Sequence, residues 1–475
     1  MTQFIRVLTI AIMLLLCCSI IEAAPGQQNP TLQSLSPQSL QSLPPHDPVL
    51  ILPARKVVIN PAKHLMITNL GVVEDPVRTN PNAGRRAVWT FKHLMENMAG
   101  ENDPAEFTLR WLEYWETDQV VNGQVSPARP DIRELIIDPW LDASCHGQLD
   151  LRIAPFKLLA IVNRMDLRVH NAKSVSTAGE GRFIFGVVDP NGMPLRFVVI
   201  FEYELLAENM GEVRGWAHQW YKLGRHPLGS RGYNRALERI TRRFTDAGQA
   251  PDKVNGNPIN QIRTNEISLG PSWELREFVL DRNTGLLAQY TVAQTPDTIR
   301  FNGTPQLARL INANEAALLD GTFRLPAAWF GPGSISGPFL PSDFPDFEDR
   351  TFTVNPFGGP LLNIPWSAAN INNNEARHAF ALNTCNGCHR DETDTAFVQV
   401  DFPRQHNLPK SLGNEAELAA FLTGGEVVDP VDHETVTKFN DLKRRAEDLK
   451  ELLEHIHREG FSSPPLEPHE PRFVH

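Results

Sequence analysis

Two long runs of β-branched and aromatic residues, joined by a tight turn, constrain the fold of this chain most strongly. The first run begins at Phe183 and reads FIFGVV, and the second extends over 195–205. Between them lies Asp189-Pro190-Asn191-Gly192, and Asn-Gly is typical of the turn of an antiparallel hairpin. A second hairpin is predicted to join 273–280 to 287–292. The sequence therefore predicts an antiparallel sheet.

The remaining segments show helical and strand patterns without regular β-α-β alternation. Short apolar runs predict strands at 49–52, 57–59, 135–137 and 158–162. Apolar residues at helical spacing predict helices at 89–98, 103–115, 215–223, 231–244, 305–319, 374–382 and 415–422. We therefore expect an α+β fold, in which a large domain with a mainly antiparallel sheet plus helices is followed by a small helical C-terminal module.

The charge balance excludes one class of partner. The 475 residues are 41% hydrophobic, which is enough for a substantial core and more than one domain. The net charge is −11 and the pI is about 5.8. A nucleic-acid binder needs clustered Lys and Arg for phosphate contacts, so this acidic balance predicts no nucleic-acid partner.

The first residues predict export. Arg6 supplies a positive charge, residues 7–21 are almost entirely apolar, and Ala23 and Ala24 offer a cleavage point. The apolar run is shorter than the roughly 20 residues of a spanning helix, and no other stretch approaches that length. We therefore expect a cleaved signal peptide, a periplasmic or extracellular location, and no membrane span in the mature chain. An uncleaved N-terminal anchor is the alternative.

Composition shifts divide the chain into seven parts. The predicted parts are a signal peptide (1–24), a Gln/Ser/Pro-rich linker (25–48), the α+β domain (49–330), a Gly/Pro-rich linker (331–370), a module with the motif CxxCH (371–432), an amphipathic heptad helix (433–460) and a tail (461–475). The heptad stripe covers 439–456. It predicts a helix packed on its own domain, with a homodimer through this stripe as the alternative.

The number and spacing of the cysteines indicate what kind of group the chain binds. Removal of the signal peptide leaves Cys145, Cys385 and Cys388, an odd number that excludes a closed disulfide framework. The last two belong to Cys385-Asn386-Gly387-Cys388-His389. Two cysteines one helical turn apart reach the two vinyl groups of a porphyrin, and the adjacent His can ligate its iron. The motif therefore predicts one covalent haem c, bound through Cys385, Cys388 and His389.

The stretch AFALNTCNGCHRD, residues 379–391, resembles the haem-binding helix of c-type cytochromes. The whole chain also resembles a poorly characterised family of exported bacterial proteins with a single late CxxCH. The cytochrome resemblance implies thioether bonds at Cys385 and Cys388 and proximal iron ligation by His389. The wider resemblance implies no known reaction. From the exported α+β domain and the haem motif together we expect one-electron transfer with a redox partner protein, which the sequence does not identify.

The distal side of the iron departs from the usual small cytochrome, which has a downstream Met ligand. This chain has no Met after Met210. The sixth ligand is then a downstream His, a Met of the large domain, or none, and His406 is the leading candidate. Further candidates for the distal ligand are His433, His455 and His457, and Arg390 and Arg404 are candidates for pairing with haem propionates.

Three alternatives remain beside the electron carrier. Zinc could join Cys385 and Cys388 with Cys145 and either His146 or His389, or the two motif cysteines could form a redox dithiol or a disulfide in a structural protein. A haem-dependent oxidoreductase would bind substrate in the large domain. Segments 163–168, 263–266 and 273–277 could line such a pocket, although such segments more often form structural ion pairs at strand ends. No catalytic residue is assigned, and whether the protein is an enzyme stays open.

Overall fold

The antiparallel sheet is the central element of the computed structural model. Its strands run in the order β1-β4-β7-β8-β9-β10-β11, and β12 also pairs with β10. The structure describes residues 57–121, 123–145, 147–170, 175–270, 272–292, 296–330, 335–338, 365–390, 392–395, 397–403 and 414–458. The strands are β1 (Met66–Ile67), β2 (Gln119–Val121), β3 (Gln124–Ser126), β4 (Phe156–Arg164), β5 (Val169–His170), β6 (Val175–Thr177), β7 (Glu180–Val188), β8 (Pro194–Glu204), β9 (Ile259–Glu266), β10 (Ser272–Leu280), β11 (Leu287–Tyr290), β12 (Ile335–Pro338), β13 (Val400–Asp401), β14 (Glu417–Leu418), β15 (Gly425–Val428) and β16 (Val436–Phe439).

Helices pack against both faces of the sheet. They are α1 (Pro61–His64), α2 (Leu70–Val73), α3 (Phe91–Met98), α4 (Pro104–Leu112), α5 (Asp138–Ala143), α6 (Met210–Lys222), α7 (Arg231–Thr245), α8 (Thr298–Phe301), α9 (Pro305–Ala313), α10 (Glu315–Leu319), α11 (Asn374–Leu382), α12 (Cys385–Cys388), α13 (Ala420–Thr423) and α14 (Asp441–Arg458). Together with the sheet they confirm the predicted α+β class.

Both predicted hairpins are confirmed. In β7–β8, Phe183 pairs with Phe201 and Phe185 with Val199. In β10–β11, Leu280 pairs with Leu287. Successive side chains of a strand point to opposite faces, so these registers decide which residues share a face.

The two faces of the sheet have different compositions. Phe183, Phe185, Phe201 and Phe278 form the aromatic face, where Phe91 of α3 lies 5.8 Å from Phe201, ring centre to ring centre. The alternate residues Arg182, Glu202, Arg263 and Glu277 form the charged face, and all four are buried. The C-terminal segment covers the charged face: a Cβ on Gly186 would lie 2.2 Å from the ring of Phe402.

Three strand or helix predictions are wrong. Residues 135–137 belong to a π-helical turn, Arg133–Ile137, that continues into α5, because a short apolar run suits a buried helix as well as a strand. Residues 57–59 form no strand, and Pro61 starts α1 just after them. The helix predicted at 415–422 is β14 followed by the short α13.

The helix predicted at 305–319 forms as two helices. Asn314 ends α9 and its side chain donates to Leu310 O, which competes with helix continuation. The helices predicted at 89–98, 103–115, 215–223 and 231–244 are confirmed with shifted ends, and the helix predicted at 374–382 is confirmed with both ends as predicted. In 103–115 the last turn, Glu113–Trp115, is a 3-10 helix.

The heptad stripe packs on its own chain. Leu442, Leu449 and Leu453 of α14 are buried, and the helix is tied to the end of β4 by ion pairs from Arg444 to Asp166 and from Arg168 to Asp448. The interpretation as a helix packed on its own domain is therefore confirmed where the structure describes it, and the burial gives the homodimer no support.

Several predicted segments lie outside the described residues. They are the signal peptide, the Gln/Ser/Pro-rich linker, the strand predicted at 49–52 and the tail. Most of the linker at 331–370 also lies outside, although β12 is described as a strand paired with β10. The predicted domain boundaries stay predictions. Among the described helices, none combines the length and apolar character that crossing a bilayer needs.

Candidate metal centre

The CxxCH motif forms its own short helix. Helix α11 ends at Leu382, and Thr384 then caps α12 by accepting a hydrogen bond of 3.1 Å from Gly387 N. Trp366 Nε1 donates to the same hydroxyl at 3.1 Å. The sequence thus places both cysteines on one helical turn. Cys385 and Cys388 are fully buried and are not joined in a disulfide.

Gly387 is required by the packing of these two helices. A Cβ at this position would lie 2.1 Å from Ala381 O, far inside van der Waals contact with backbone that cannot swing away. Close approach of α12 to the end of α11 therefore explains the glycine. This reason is independent of any porphyrin.

His389 is held in one orientation. Its Nδ1 lies 2.7 Å from Phe397 O, a backbone carbonyl that can only accept, so Nδ1 carries the proton. In the neutral ring the lone pair then resides on Nε2, the arrangement found in metal-ligating histidines whose other nitrogen bonds to a carbonyl. Burial, opposed by the Phe397 carbonyl, lowers the pKa of His389 to about 4, with the Arg263 charge adding to the effect. The imidazole is neutral at neutral pH.

Two residues of the sheet support this arrangement. Asn265 Nδ2 donates to Phe397 O at 2.6 Å, and its Oδ1 accepts from Trp273 Nε1. The Trp273 ring stacks beside His389 with ring centres 5.8 Å apart and an interplanar angle of 30°. Residues of strands β9 and β10 therefore hold the Phe397 carbonyl in place, and this carbonyl orients His389.

The thiol of Cys388 is not activated. Burial raises its pKa to about 12, with the neighbouring Cys385 adding to the rise, and Gln399 Nε2 donates to Sγ at 3.5 Å. A redox dithiol needs a thiolate at neutral pH. Moreover, helix α11 rather than a strand precedes the motif. Both observations speak against the dithiol alternative.

A cavity of about 60 Å³ lies between the charged face and the motif. His389, Val398, Gln399 and Val400 close it from above, and strands β1, β4, β7, β8, β9 and β10 form its floor. Its lining combines apolar and charged side chains: Met66, Val162, Ile184, Val198, Ile200, Leu275, Leu422, Arg164, Arg182, Arg263, Arg445, Glu202 and Asn265. The segments 163–168, 263–266 and 273–277 thus contribute residues to one cavity.

Ion pairs cross the floor of this cavity from strand to strand. Glu202 lies 3.1 Å from Arg182 and 3.4 Å from Arg263. Arg263 Nε also lies 2.9 Å from Glu277. Buried charges are costly unless paired, so this network offsets desolvation more than it adds stability. Both interpretations of these segments, pocket lining and ion pairing, are therefore observed together.

The side chains of the motif are those that a covalent haem needs, whereas the adjoining cavity is small for a porphyrin. Two buried thiols one turn apart and a neutral His with Nε2 as acceptor are the groups that thioether attachment and iron ligation need. Ligand pockets for molecules of this size measure about 300–1,000 Å³. The cavity of about 60 Å³ is smaller than this, so it would not by itself hold a porphyrin.

The structure says less about the candidate distal iron ligands and the arginines predicted to pair with haem propionates. His406 and Arg404 lie outside the described residues, as do the side chains of His455 and His457. His433 is exposed on a turn with φ of 58°. Arg390 is buried, with its guanidinium 4.7 Å from the Phe397 ring centre. The distal ligand stays a prediction.

Zinc finds no support at the motif. Cys145 is exposed, whereas Cys385 and Cys388 are buried, and among the described residues no cluster of three metal-ligating side chains includes any of them. The cluster that does form is His378, Glu392 and Asp429. Arg377 lies 2.6 Å from each of its two carboxylates and already neutralises charge that a cation would use.

Sequence reasoning missed three residues of the site. Asn265 and Trp273 stand in segments that were recognised as polar strand ends, but their link to His389 is not encoded in local spacing. Phe397 gave no signal, since its role depends on its backbone carbonyl and on a φ of 63°. The chain matches no family model, no curated protein and no solved structure. The class of protein therefore has to be argued from the site.

Proposed function

We propose that this chain is an exported c-type cytochrome with one covalent haem, attached through Cys385 and Cys388 and ligated by His389. The observation that carries the proposal is the hydrogen bond between His389 Nδ1 and Phe397 O. It fixes the tautomer that leaves Nε2 as the acceptor nitrogen, in a motif whose two thiols are both buried. Bound haem would supply reversible one-electron oxidation and reduction at its iron.

The surrounding residues perform positioning and exclusion of water. Asn265 holds the Phe397 carbonyl, and Trp273 restricts rotation of the imidazole through stacking. Burial of His389 and both cysteines keeps solvent from the centre. We infer that the large domain serves as the docking platform for a redox partner protein in the periplasm or outside the cell.

Covalent attachment is tested with the full chain produced in a strain competent in cytochrome maturation. Haem should remain on the denatured polypeptide, raise its mass by one haem, and give a reduced-minus-oxidised spectrum of the c type. Single variants Cys385→Ser and Cys388→Ser should each retain at most one thioether bond, and the double variant should lose covalent haem.

Cys145→Ser is the matched control, because it removes an exposed cysteine outside the motif. It should keep the full haem content. If folded wild-type protein keeps no haem when it is denatured, the proposal is contradicted. Zinc bound in its place would instead support the structural alternative.

The distal ligand is open to a separate measurement. We propose His406 as sixth ligand, so the wild-type ferrous protein should not bind carbon monoxide, whereas His406→Ala should bind it. His433→Ala, at an exposed histidine, is the control and should behave as wild type. Carbon monoxide binding to the wild type would contradict His406 ligation.

A haem-dependent oxidoreductase is the second candidate, favoured by the cavity that adjoins His389. Its charged and apolar lining is typical of a site that orients a small polar molecule. In this case peroxide would bind the ferric protein and be consumed. Spectral insensitivity to peroxide, together with reversible electron exchange, would leave the electron carrier as the sole function.

A further inference from the structure

A buried guanidinium in the cavity has an unused hydrogen-bond donor. Arg445 of α14 is 3% exposed and lines the cavity. Its Nη2 lies 2.5 Å from Asp441 Oδ2, but its Nε has no hydrogen-bond partner among the residues that the structure describes. An unsatisfied charged donor away from water costs free energy, and its persistence points to a group that completes it.

A second guanidinium lies nearby. Arg164 lines the same cavity as Arg445. Burial, together with the charge of Arg164, lowers the pKa of Arg445 to about 10. Arg164 itself pairs with Asp166 at 2.9 Å. An added anion beside Arg445 would relieve this repulsion between buried like charges.

The acidic residue of the lining is directed elsewhere. Glu202 on β8 is engaged by Arg182, Arg263 and Gln261, the last at 2.6 Å. Strand β8 is two strands away from β4, which carries Arg164, a separation of about 10 Å. An anion beside Arg445 therefore does not confront a free carboxylate of the lining.

Cavity size limits the occupant. One water needs roughly 10–15 Å³ of such space, so about 60 Å³ takes roughly four to six groups of water size. A carboxylate with a one-carbon tail has four heavy atoms. Its head suits the planar guanidinium, and its methyl group suits neighbours such as Met66, Val162 and Leu422.

We propose that this cavity is a carboxylate-binding site in which Arg445 holds the anionic head. The carboxylate belongs either to a small free acid of acetate size or, when the space opens, to a propionate of the haem. The first source would give the protein a ligand or substrate class that the motif does not encode. The floor of the site and Arg445 belong to the sheet and α14, so the haem-free chain keeps them, while His389 of the motif helps to close the cavity.

The test begins with the haem-free full chain, Cys385→Ser/Cys388→Ser, and acetate as the probe. Titration calorimetry and the thermal unfolding midpoint should both show saturable acetate binding, with chloride at equal ionic strength giving none. Arg445→Met should weaken acetate binding by roughly ten- to a hundredfold, the range for a lost charged hydrogen bond.

Arg444→Met is the matched control, because Arg444 joins the same ion pairs with Asp166 and Asp441 but does not line the cavity. It should lower stability yet keep acetate affinity within a few-fold of the parent. Equal loss of affinity in both variants, or absence of acetate binding in the folded haem-free chain, would overturn the proposal.

Haem-loaded protein then identifies the source of the carboxylate. If it binds acetate as the haem-free chain does, the site serves a free acid. If haem loading abolishes acetate binding and Arg445→Met shifts the reduction potential, the propionate occupies the site. Absence of covalent haem would defeat the proposed cytochrome while leaving the acetate titration of the haem-free chain interpretable.

Discussion

The two faces of the central sheet use alternate residues of the same strands for opposite purposes. The aromatic face packs rings against helices: Phe91 stacks on Phe156 with ring centres 3.9 Å apart and meets Phe185 edge-on at 6.2 Å. The charged face buries arginines and glutamates under the motif. Burial of aromatic area stabilises a fold, whereas buried ion pairs are often no better than apolar residues of equal volume. Stability alone therefore does not account for the buried charges of the charged face, most of which line the cavity beside His389.

Removing one charge from the charged face should produce one of the two largest effects on stability. Arg263→Met leaves Glu277 and part of Glu202 uncompensated, so we expect the free energy of unfolding to fall by about 3–5 kcal/mol. Urea-induced unfolding of the wild type and the variant measures this difference in free energy. The double variant Arg263→Met/Glu277→Leu should recover much of this loss. A cost below about 1 kcal/mol for the single variant would show that the network is not buried as described.

The aromatic face should respond without such recovery. Phe185→Ala removes a ring that contacts Phe91 and Phe201, and we expect a loss of about 3–5 kcal/mol in unfolding free energy. Adding Phe201→Ala should enlarge the loss. Haem attached per folded molecule should not change. Recovery of stability in the double variant would erase the distinction between the faces.

The motif helix offers an intermediate effect. Gly387→Ala forces a Cβ onto Ala381 O, so we expect about 1–3 kcal/mol of destabilisation and less attached haem. Gly215→Ala is the control: this glycine lies in α6 with open space around its Cβ position, and alanine there should stabilise by about 0.5–1 kcal/mol. Thermal unfolding should show a lower midpoint for Gly387→Ala and a higher midpoint for Gly215→Ala than for the wild type.

The support of His389 from the charged face should be measurable at about 1–2 kcal/mol. Asn265→Ala leaves Trp273 Nε1 without its acceptor and the Phe397 carbonyl without one donor. We further expect a shifted reduction potential, since the proximal imidazole would be less firmly held. Asn283→Ala, in an exposed turn, is the control and should alter neither quantity. An unchanged potential in Asn265→Ala would remove this residue from the positioning role.

Mild acid should give the smallest effect. Nearby arginines hold the pKa of Asp166 well below its usual value of 3.8 and also lower that of Asp441, although burial opposes them. A depressed folded pKa stabilises above the unfolded pKa, and the contribution is lost as pH falls. By linkage the two together cost roughly half a kcal/mol at pH 4 relative to pH 7. Asp441→Asn should flatten this dependence, whereas Phe185→Ala should run parallel to wild type.

Local signals made part of this fold predictable. The hairpin of β7 and β8 follows from alternation and an Asn-Gly turn, and both lie within neighbouring residues. The run at 135–137 carries no such signal, because three apolar residues suit a helix and a strand equally. The split at Asn314 depends on one side-chain hydrogen bond, which composition does not reveal.

The candidate site was predictable only where it is contiguous. Cys385, Cys388 and His389 are adjacent in the motif. Asn265 meets the segment of Phe397 across more than a hundred residues of sequence, through the sheet register and a left-handed backbone. Likewise Arg445 reaches the cavity because α14 docks on the end of β4. These partners are set by tertiary packing, which spacing does not encode.

The complete burial of Cys385 and Cys388 has a consequence for the order of events in the life of the chain. No enzyme can reach either sulfur once α12 rests on the sheet and α14 is docked. Any covalent modification of these sulfurs must therefore precede closure of the C-terminal segment. Packing of the C-terminal segment on the sheet would then follow the modification of the two sulfurs. A chain in which this segment packs first would keep both cysteines unmodified.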